Sequence, residues 1–476
     1  MEPANPDKPA PTEVEELPLE PPEQVLSTLN PDGTRRWLAP RLAKGRFWKR
    51  RRVVAYALIL LFNLLPWIQI SGKPAVLFNV AQREFTVFGT TFQPTETLLV
   101  TLLILVVFVS IFLATALFGR VWCGWGCPQT VYLEFLYRPL ERLAEGRYHS
   151  KGRAADPGPR KVLKYALFVL VSVHLSHTFL AYFVGGSTVL DWSTGSPAEH
   201  PAGFLIVWGV AAAMMVDFAF FREQMCILAC PYGRLQSALL DPNSVVIGYD
   251  TRRGEPRGKG KRGAKATAKT ANLGDCVDCK LCVAVCPTGI DIRDGLQMEC
   301  VNCAECIDAC DSVMDKVGLP RGLIRFASEN ELAGEARKNV RPRTVAYSGL
   351  LVVALIVLGL LLKGREAVQV TTLRATGAPY TVLEEGALIQ NQVRLRIENR
   401  RDEERRFTVE LVDASVVTLP PELRFTLGPL DTQLLSFFVR QQPEAFTAGR
   451  RTLDLVLVAD DGARTSHTVG LSGPRP

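Results

Sequence analysis

Long apolar runs alternate with polar and basic segments along the chain, and they predict five membrane-spanning helices. The runs cover residues 53–70, 97–118, 162–184, 204–221 and 345–362. Each approaches the roughly 20 residues that an α-helix needs to cross the hydrocarbon core of a bilayer. The chain is therefore predicted to be a multi-domain membrane protein with an α-helical transmembrane region.

Beyond residue 366 the hydrophobic pattern changes to the alternation typical of β-strands. Segments such as 368–373, 393–397 and 453–458 have strand length, and Gly, Pro, Asp and Asn separate them. Roughly 110 residues of this kind predict a C-terminal all-β immunoglobulin-like sandwich over 366–476. No cysteine lies in this region, so its core alone must hold it, and its one histidine, His467, is interpreted as a surface residue.

Two polar segments are predicted to lack stable structure. Residues 1–34 combine proline with acidic residues and few apolar anchors, as in a disordered cytoplasmic tail. Residues 251–274 are rich in Lys, Arg, Gly and Ala and indicate a flexible basic linker. The four-helix membrane region is accordingly assigned to 35–250 and a separate cysteine-rich domain to 275–330.

The distribution of basic residues predicts how the chain is oriented. Lys and Arg are dense in 41–52, 119–161 and 222–274 but sparse in 71–96, and they are absent from 185–202. By the positive-inside rule, the N-terminus and the cysteine-rich domain are cytoplasmic and the sandwich is periplasmic. The net charge of +7 is modest, so membrane lipid, and not nucleic acid, is the expected partner.

The densest chemical pattern is a tandem pair of cysteine runs, each with the spacing Cys-x2-Cys-x2-Cys-x3-Cys. In dicluster ferredoxins the fourth cysteine of each run binds the other cluster. The spacing predicts two [4Fe–4S] clusters, with the ligand sets Cys276, Cys279, Cys282 and Cys310, and Cys300, Cys303, Cys306 and Cys286. Structural zinc also uses Cys-x2-Cys pairs but does not require two runs of four.

The other four cysteines form two Cys-x3-Cys-Pro motifs, Cys123–Cys127 and Cys226–Cys230, each directly after a predicted helix. Their matched positions indicate an internal repeat. Residues i and i+4 of a helical turn share a face, so each pair offers two thiolates to a metal, and the two pairs together offer four. Soft thiolates favour Cu(I), zinc or an iron–sulfur centre. The alternative is a pair of buried, inert cysteines.

Ionisable residues inside predicted helices are further candidates. His174 and His177 share a helix face and are candidate ligands of a metal or haem, proton relays or interhelical hydrogen-bonding groups. Asp217 is a candidate partner for one of them. Three methionines near the second motif offer thioether ligands or simple packing: Met214, Met215 and Met225.

Taken together, these features resemble the FixG/CcoG family, the membrane-bound polyferredoxin-like accessory proteins of the cbb-type cytochrome c oxidase. The motifs that carry the resemblance are Cys123-Gly-Trp-Gly-Cys127-Pro-Gln-Thr, Cys226-Ile-Leu-Ala-Cys230-Pro-Tyr-Gly, the tandem ferredoxin cysteines and the segment 310–326. With the sandwich included, the likeness covers about residues 35–476.

The resemblance implies a bacterial inner-membrane protein that acts in copper delivery to the oxidase by reducing Cu(II) to Cu(I). Its implied partners are the oxidase assembly machinery, copper chaperones and an unknown cytoplasmic electron donor. Copper would be reduced at or near four cysteines: Cys123, Cys127, Cys226 and Cys230. Two alternatives stay open, namely a quinol-linked electron carrier to a periplasmic reductase and a non-redox assembly scaffold.

Overall fold

The structure is a computed structural model that divides into two compact units, one built mainly on residues 104–353 and the other mainly on 354–476. It describes residues 26–30, 32–70, 72–80, 84–92, 96–146, 158–260, 272–338, 340–373, 378–383, 388–401, 403–413, 416–420 and 423–474.

Four helices in the described ranges are long and apolar enough to cross a membrane: Thr97–Phe118, Pro159–Val184, Pro201–Phe221 and Pro342–Lys363. The third ends in a π-helical segment, Val216–Phe221. Large apolar side chains such as Ile104, Phe108 and Leu205 are exposed along these helices. A helix that is apolar on all sides and exposed is typical of a membrane span, so the predicted helical membrane region is confirmed.

The prediction of five spans is wrong, because residues 53–70 do not form one helix. The chain instead forms the helix Arg46–Leu64, which includes the basic run, and then the strand Gln69–Ile70. The apolar residues 53–64 extend for only about 18 Å at 1.5 Å per residue, which is shorter than the hydrocarbon core of about 30 Å. This helix packs beside Pro159–Val184, where the Tyr182 hydroxyl donates to the Phe62 carbonyl at 2.8 Å.

Short elements connect the long helices. Four strands lie between Ile70 and the helix Thr97–Phe118: Lys73–Pro74, Val76–Asn79, Glu84–Val87 and Thr90–Phe92. The helical connections are Val121–Trp125, Pro128–Tyr132, the π-helix Leu133–Tyr137, Arg138–Glu145, Gly186–Thr194, the π-helix Met225–Ala229 and Pro231–Ala238. Two of these helices begin directly after Cys127 and Cys230, which places both cysteine motifs at helix starts.

The cysteine-rich domain is larger than predicted. Its antiparallel hairpin pairs Val246–Tyr249 with Ile324–Ala327, so the domain begins well before residue 275. Its helices are Thr251–Gly254, Leu281–Ala284, the 3₁₀ turn Ile292–Asp294, Glu305–Val317 and Glu329–Ala333. The linker prediction is wrong for 251–260 and 272–274, because Asp250 caps the first of these helices and Arg253 pairs with Asp275. Residues 261–271 lie outside the described residues.

The chain before the first helix also contacts this domain. The Ser27 hydroxyl donates to the Thr288 carbonyl at 2.7 Å, and Thr28 is fully buried. Further along, the Arg41 amide donates to the Ala284 carbonyl at 2.8 Å. The prediction of a disordered tail is therefore wrong for the described residues 26–30 and 32–34, and its remainder, residues 1–25 and 31, lies outside the described ranges.

Buried polar contacts attach the cysteine-rich domain to the first helix. Arg51 is fully buried, and its guanidinium donates to the Glu305 carboxylate at 2.7 Å and to the Gly124 carbonyl at 2.8 Å. The Asp308 carboxylate accepts from the backbone N–H groups of Phe47 and Trp48 at 3.1 and 2.8 Å. An acidic group at a helix start satisfies free N–H donors and complements the helix dipole.

The C-terminal unit is a sandwich of two antiparallel sheets, as predicted. One sheet has the strand order Val417–Leu419, Thr432–Gln441, Leu388–Asn399 and Val368–Leu373, with Thr381–Leu383 also paired to the third of these. The other has the order Leu423–Leu427, Arg405–Leu411, Arg450–Ala459 and Arg464–Ser472. Alternate side chains of both sheets, such as Leu395, Phe437 and Leu455, fill one core. The immunoglobulin-like fold class is confirmed.

Candidate iron–sulfur site

The two ferredoxin-type cysteine runs have the same local backbone. Asp278 and Lys280 adopt left-handed conformations in the first run, with φ of 49° and 54°, and Asn302 and Ala304 do so in the second, with φ of 54° and 64°. Non-glycine residues rarely adopt this region. Such strain clusters at functional sites, where the surrounding structure imposes it. The matched positions show that both runs make the same tight turn between their cysteines.

Each predicted ligand set lines its own cavity. Cys276, Cys279, Cys282 and Cys310 line the first cavity together with apolar side chains. The second is lined by Cys286, Cys300, Cys303 and Cys306, with Cys282 also at its border. Four soft thiolates in an apolar pocket are the donor set that a [4Fe–4S] cluster requires. The residues present thus fit the clusters that the sequence predicts.

The two cavities differ in their exposure to solvent. Cys279 of the first set is exposed, whereas Cys300, Cys303 and Cys306 of the second set are buried. Burial raises the pKa of the Cys286 thiol, and the Thr288 hydroxyl and nearby backbone N–H groups oppose that rise by hydrogen bonding to the sulfur. Hydrogen bonds to ligand sulfurs and solvent exposure both set the potential of an iron–sulfur cluster.

The two Cys-x3-Cys-Pro motifs have matching local geometry. Cys127 and Cys230 are extended residues, with ψ of 126° and 110°, and a proline-led helix follows each of them. Cys123 lies in the short helix Val121–Trp125, and Cys226 lies in the π-helix Met225–Ala229. The internal repeat that the sequence indicates therefore extends to the backbone.

The structure brings the two motifs together, because Cys123 contacts Tyr232 and Gln236 of the helix that begins directly after Cys230. Burial raises the pKa of Cys226 to about 12, and the charges of Cys127, Cys123 and Cys230 raise it further. Burial likewise raises the pKa of Cys123 to about 11, with added contributions from Cys127 and Cys230. The charge of Cys230 also raises the pKa of the Cys127 thiol, which burial raises most. Each of the four is thus within electrostatic reach of the other three, and we call them the four-thiol group.

The four-thiol group adjoins the second cavity. Cys123 packs against Val301 and Cys303, and a β-carbon added at Gly124 would clash with the Val301 carbonyl and lie 2.8 Å from the Asn302 carbonyl. The indole N–H of Trp125 donates to the same Asn302 carbonyl at 3.3 Å. The segment between Cys123 and Cys127 is therefore in direct contact with the segment between Cys300 and Cys303.

Two polar residues that the sequence did not indicate complete this environment. The Cys123 thiol donates to the Gln236 side-chain oxygen at 3.0 Å, and the Gln236 amide donates to the Thr115 hydroxyl at 3.2 Å. Arg120 is buried and donates to the Met298 carbonyl, but its Nε atom has no hydrogen-bond partner. Neither residue belongs to a motif, so only the tertiary structure identifies them.

The intramembrane histidines make other contacts. His174 Nε2 is 2.9 Å from the Asn63 amide oxygen, and His177 Nδ1 is 2.8 Å from the Val173 carbonyl. These are the interhelical and within-helix hydrogen bonds of the structural alternative. Within the described ranges, neither histidine belongs to a group of three or more His, Cys, Asp or Glu side chains that could hold a metal ion.

The other candidates near the second motif also have structural roles. Asp217 accepts from the Gln129 amide at 3.0 Å, so the predicted partnership with a histidine is wrong. Met214 and Met215 pack against a core that includes Phe218, and Met225 is exposed. In the sandwich, His467 is half-buried and its Nε2 lies 2.8 Å from the Thr372 hydroxyl.

A cavity of about 220 Å³ lies at the other end of these helices. Its lining is largely apolar and aromatic but includes two histidines, His177 and His200. The His200 ring stacks on Trp192 with a centroid separation of 4.5 Å. The cavity combines an apolar wall with two groups that can exchange protons.

Comparisons with protein families match most of the chain in three parts. Residues 221–329 match a 4Fe-4S dicluster domain, residues 100–145 match a 4Fe-4S binding domain, and residues 358–474 match the IG-like fold at the C-terminus of FixG. The chain is thus an iron–sulfur electron-transfer protein of the membrane.

Three curated relatives align with this chain over more than half of their own length. RdxA of Cereibacter sphaeroides is 35% identical over 80% of this chain and 83% of RdxA. RdxB of the same organism is 33% identical over 91% of this chain and 95% of RdxB. The nitrogen fixation protein FixG of Rhizobium meliloti is 37% identical over 63% of this chain and 58% of FixG. The chain therefore belongs to the FixG family, together with RdxA and RdxB.

Proposed function

We propose that this protein is a membrane-bound one-electron carrier that reduces Cu(II) to Cu(I) for the assembly of a cbb-type cytochrome c oxidase. The contact that carries the proposal joins Cys123 of the four-thiol group to Cys303 of the second cavity. It connects a group of soft ligands directly to a predicted cluster site. When bound, [4Fe–4S] clusters supply reversible one-electron transfer.

The four predicted ligands of each cluster line the same cavity. We assign Cys276, Cys279, Cys282 and Cys310 to one cluster, and Cys300, Cys303, Cys306 and Cys286 to the other. The exposure of Cys279 favours the first cavity as the side on which a soluble electron donor docks. The second cavity shares Cys282 with the first and contacts Cys123 of the four-thiol group through Cys303.

The chemistry of copper suits a thiolate group beside an electron source. Cu(II) prefers nitrogen and oxygen ligands, whereas thiolates stabilise Cu(I). One electron converts the first ion into the second, and copper exchanges nitrogen and oxygen ligands for sulfur. Thiols near the point of reduction therefore favour Cu(I), the product, over Cu(II), the substrate.

The proposed location is the bacterial inner membrane with the cysteine-rich domain in the cytoplasm. One membrane helix, Pro342–Lys363, separates that domain from the sandwich. The basic segments 119–161 and 222–274 favour the cytoplasmic side for the cysteines. This orientation lets a cytoplasmic donor reach Cys279 and leaves the sandwich to dock periplasmic partners such as copper chaperones.

The decisive experiment measures copper reduction by anaerobically purified, full-length protein in detergent. The protein is reduced with dithionite, freed of excess reductant and mixed with Cu(II) and a Cu(I)-specific chelator. We expect one Cu(I) for each electron released as the iron–sulfur absorbance returns to its oxidised form. Cluster oxidation no faster than that of a soluble ferredoxin under the same conditions would contradict the proposal.

A matched pair of variants tests whether the four-thiol group takes part. Cys226→Ser with Cys230→Ser is expected to abolish rapid copper reduction and to leave the ferredoxin-type clusters in place. Leu228→Ala changes an exposed side chain in the same segment and is expected to reduce copper at the normal rate. Normal reduction by the double variant would show that copper receives its electron elsewhere.

A quinol-linked electron carrier is the second candidate. The observation that favours it is the cavity lined by His177, His200 and Trp192, because an apolar pocket with a few polar groups is typical of small-molecule sites. Reduction of the clusters by a soluble quinol analogue, lost in His177→Gln, would support this function. Copper reduction that proceeds without any quinone response would favour the first.

A further inference from the structure

We infer that the four-thiol group, Cys123, Cys127, Cys226 and Cys230, binds a third iron–sulfur cluster of the [4Fe–4S] type. The inference deepens the proposed function and rests on it only for the role of this cluster in electron transfer. Copper is then the substrate that meets this group, and not its resident metal.

The ligand set matches that of the ferredoxin-type cavities in number and kind. Each supplies four cysteines and no other metal ligand, and two separate chain segments contribute to each. The first ferredoxin run and both Cys-x3-Cys motifs also end in a cysteine–proline pair, at Pro287, Pro128 and Pro231, whereas Asp311 follows the last cysteine of the second run. In ferredoxin runs this cysteine–proline pair ends the ligand motif.

Direct contacts bring the two motifs together. The Cys123 thiol donates to the Gln236 side-chain oxygen at 3.0 Å, and Gln236 lies in the helix Pro231–Ala238, which begins directly after Cys230. Tyr232 of the same helix packs against Cys123. Two Cys-x3-Cys motifs in contact can supply the four thiolates that a four-iron cluster requires.

The match of residues 100–145 to a 4Fe-4S binding domain leads to the same ligands. The only cysteines in that segment are Cys123 and Cys127. Two thiolates are half of the usual ligand set, so a cluster there needs two more. The ferredoxin-type cavities account for eight of the twelve cysteines, which leaves Cys226 and Cys230, and these are the two that the fold places beside the first pair.

The surroundings suit a negatively charged group. A cluster held by four thiolates carries net negative charge, and the buried Arg120 lies three residues before Cys123 and beside Gly233, three residues after Cys230. Its Nε–H has no partner in the described structure. Gly233 admits this side chain, because a β-carbon there would lie 3.1 Å from its Nη2 atom. An unpaired buried donor is costly unless an acceptor is present.

The test is the iron content of the full-length protein after anaerobic reconstitution with ferrous iron and sulfide. We expect about twelve iron atoms per chain, from three four-iron clusters. The pair Cys123→Ser with Cys127→Ser and the pair Cys226→Ser with Cys230→Ser are each expected to lower this to about eight. The four-fold variant is expected to stay at about eight, because both pairs hold the same cluster.

Electron paramagnetic resonance of the reduced protein provides the second readout. The variants are expected to lose one set of signals and to retain those of the ferredoxin-type clusters, which also shows that the chain has folded. Eight irons in the unchanged protein would overturn the inference, whether or not copper is reduced. Twelve irons without copper reduction would support the third cluster and contradict the proposed function.

Discussion

At the scale of single residues, the most consequential contact is the buried ion pair between Arg51 and Glu305. The two residues are 254 positions apart, and both are buried beside the second cluster cavity. Breaking such a pair by removing one partner is strongly destabilising, because it leaves an uncompensated charge in the interior. Arg51 also donates to the Gly124 carbonyl, so it contacts both the cysteine-rich domain and the first Cys-x3-Cys motif.

We predict that Arg51→Met destabilises the protein by about 3–5 kcal/mol, because Glu305 is left buried without its cation. Thermal unfolding of the full chain in detergent, followed by the loss of iron–sulfur absorbance, measures the effect. Arg321→Met is the control, since Arg321 pairs with Asp315 on the surface and its loss is expected to change little. Equal effects of the two substitutions would show that the buried pair is not important for stability.

At the scale of elements, the structure depends on the contact between the turn Cys123–Cys127 and the loop 300–303. Gly124 makes this contact possible, because any larger residue would collide with the backbone of Val301 and Asn302. Backbone atoms move less easily than the end of a side chain. The close approach of the two cysteine-bearing segments therefore requires glycine at this position.

We predict that Gly124→Ala destabilises the protein by about 1–3 kcal/mol, as overpacking does, and slows copper reduction by separating the two segments. Gly209→Ala is the control, because nothing lies within 4 Å of a β-carbon at that helical position. Alanine is expected there to be neutral or to stabilise by up to about 1 kcal/mol. Unfolding temperature and the rate of Cu(I) formation are the measurements. Normal copper reduction by Gly124→Ala would contradict the required contact.

At the scale of the whole molecule, the C-terminal sandwich has a core of its own. Its buried side chains come from both sheets and include Leu395, Phe437, Leu455 and Leu471. A domain with its own hydrophobic core can unfold as a separate unit. Changes in this core are therefore expected to leave the iron–sulfur domain unaffected.

We predict that Leu455→Ala destabilises the sandwich by about 2–5 kcal/mol, since the side chain is fully buried and its truncation leaves a cavity. Iron content and reduced-state signals are expected to stay unchanged. Leu434→Ala is the matched control, because that leucine is 47% exposed on the same sandwich. Calorimetry in detergent separates the transitions. Loss of iron in Leu455→Ala would show that the two units depend on each other.

Much of this protein was predictable because its chemistry is encoded locally. The spacing of Cys276 to Cys310 reflects the geometry of a tight turn around a metal cluster, and that turn recurs with the same left-handed residues in both runs. The membrane helices follow from uninterrupted apolar runs, and the sandwich follows from strict alternation. In each case a short stretch of sequence carries the whole signal, so no knowledge of distant residues is needed.

The first helix shows where local reasoning fails. An apolar run of suitable length predicted a span at 53–70, but the helix begins earlier, at Arg46, and ends at Leu64, ahead of Pro66. The histidines show the same limit, since the contact of His174 with Asn63 of that helix is not visible in the sequence. Composition indicates that a residue needs a partner, but it does not say which one.

Local sequence patterns were sufficient to predict the two cysteine sets that line the cavities, the membrane helices and the class of the C-terminal domain. The contact of Cys123 with the helix that follows Cys230, and of Gly124 with the loop before Cys303, emerged from the tertiary structure. The physical reason is that these contacts join segments a hundred or more residues apart. Their geometry is set by the packing of several helices, which no periodicity within one segment can specify.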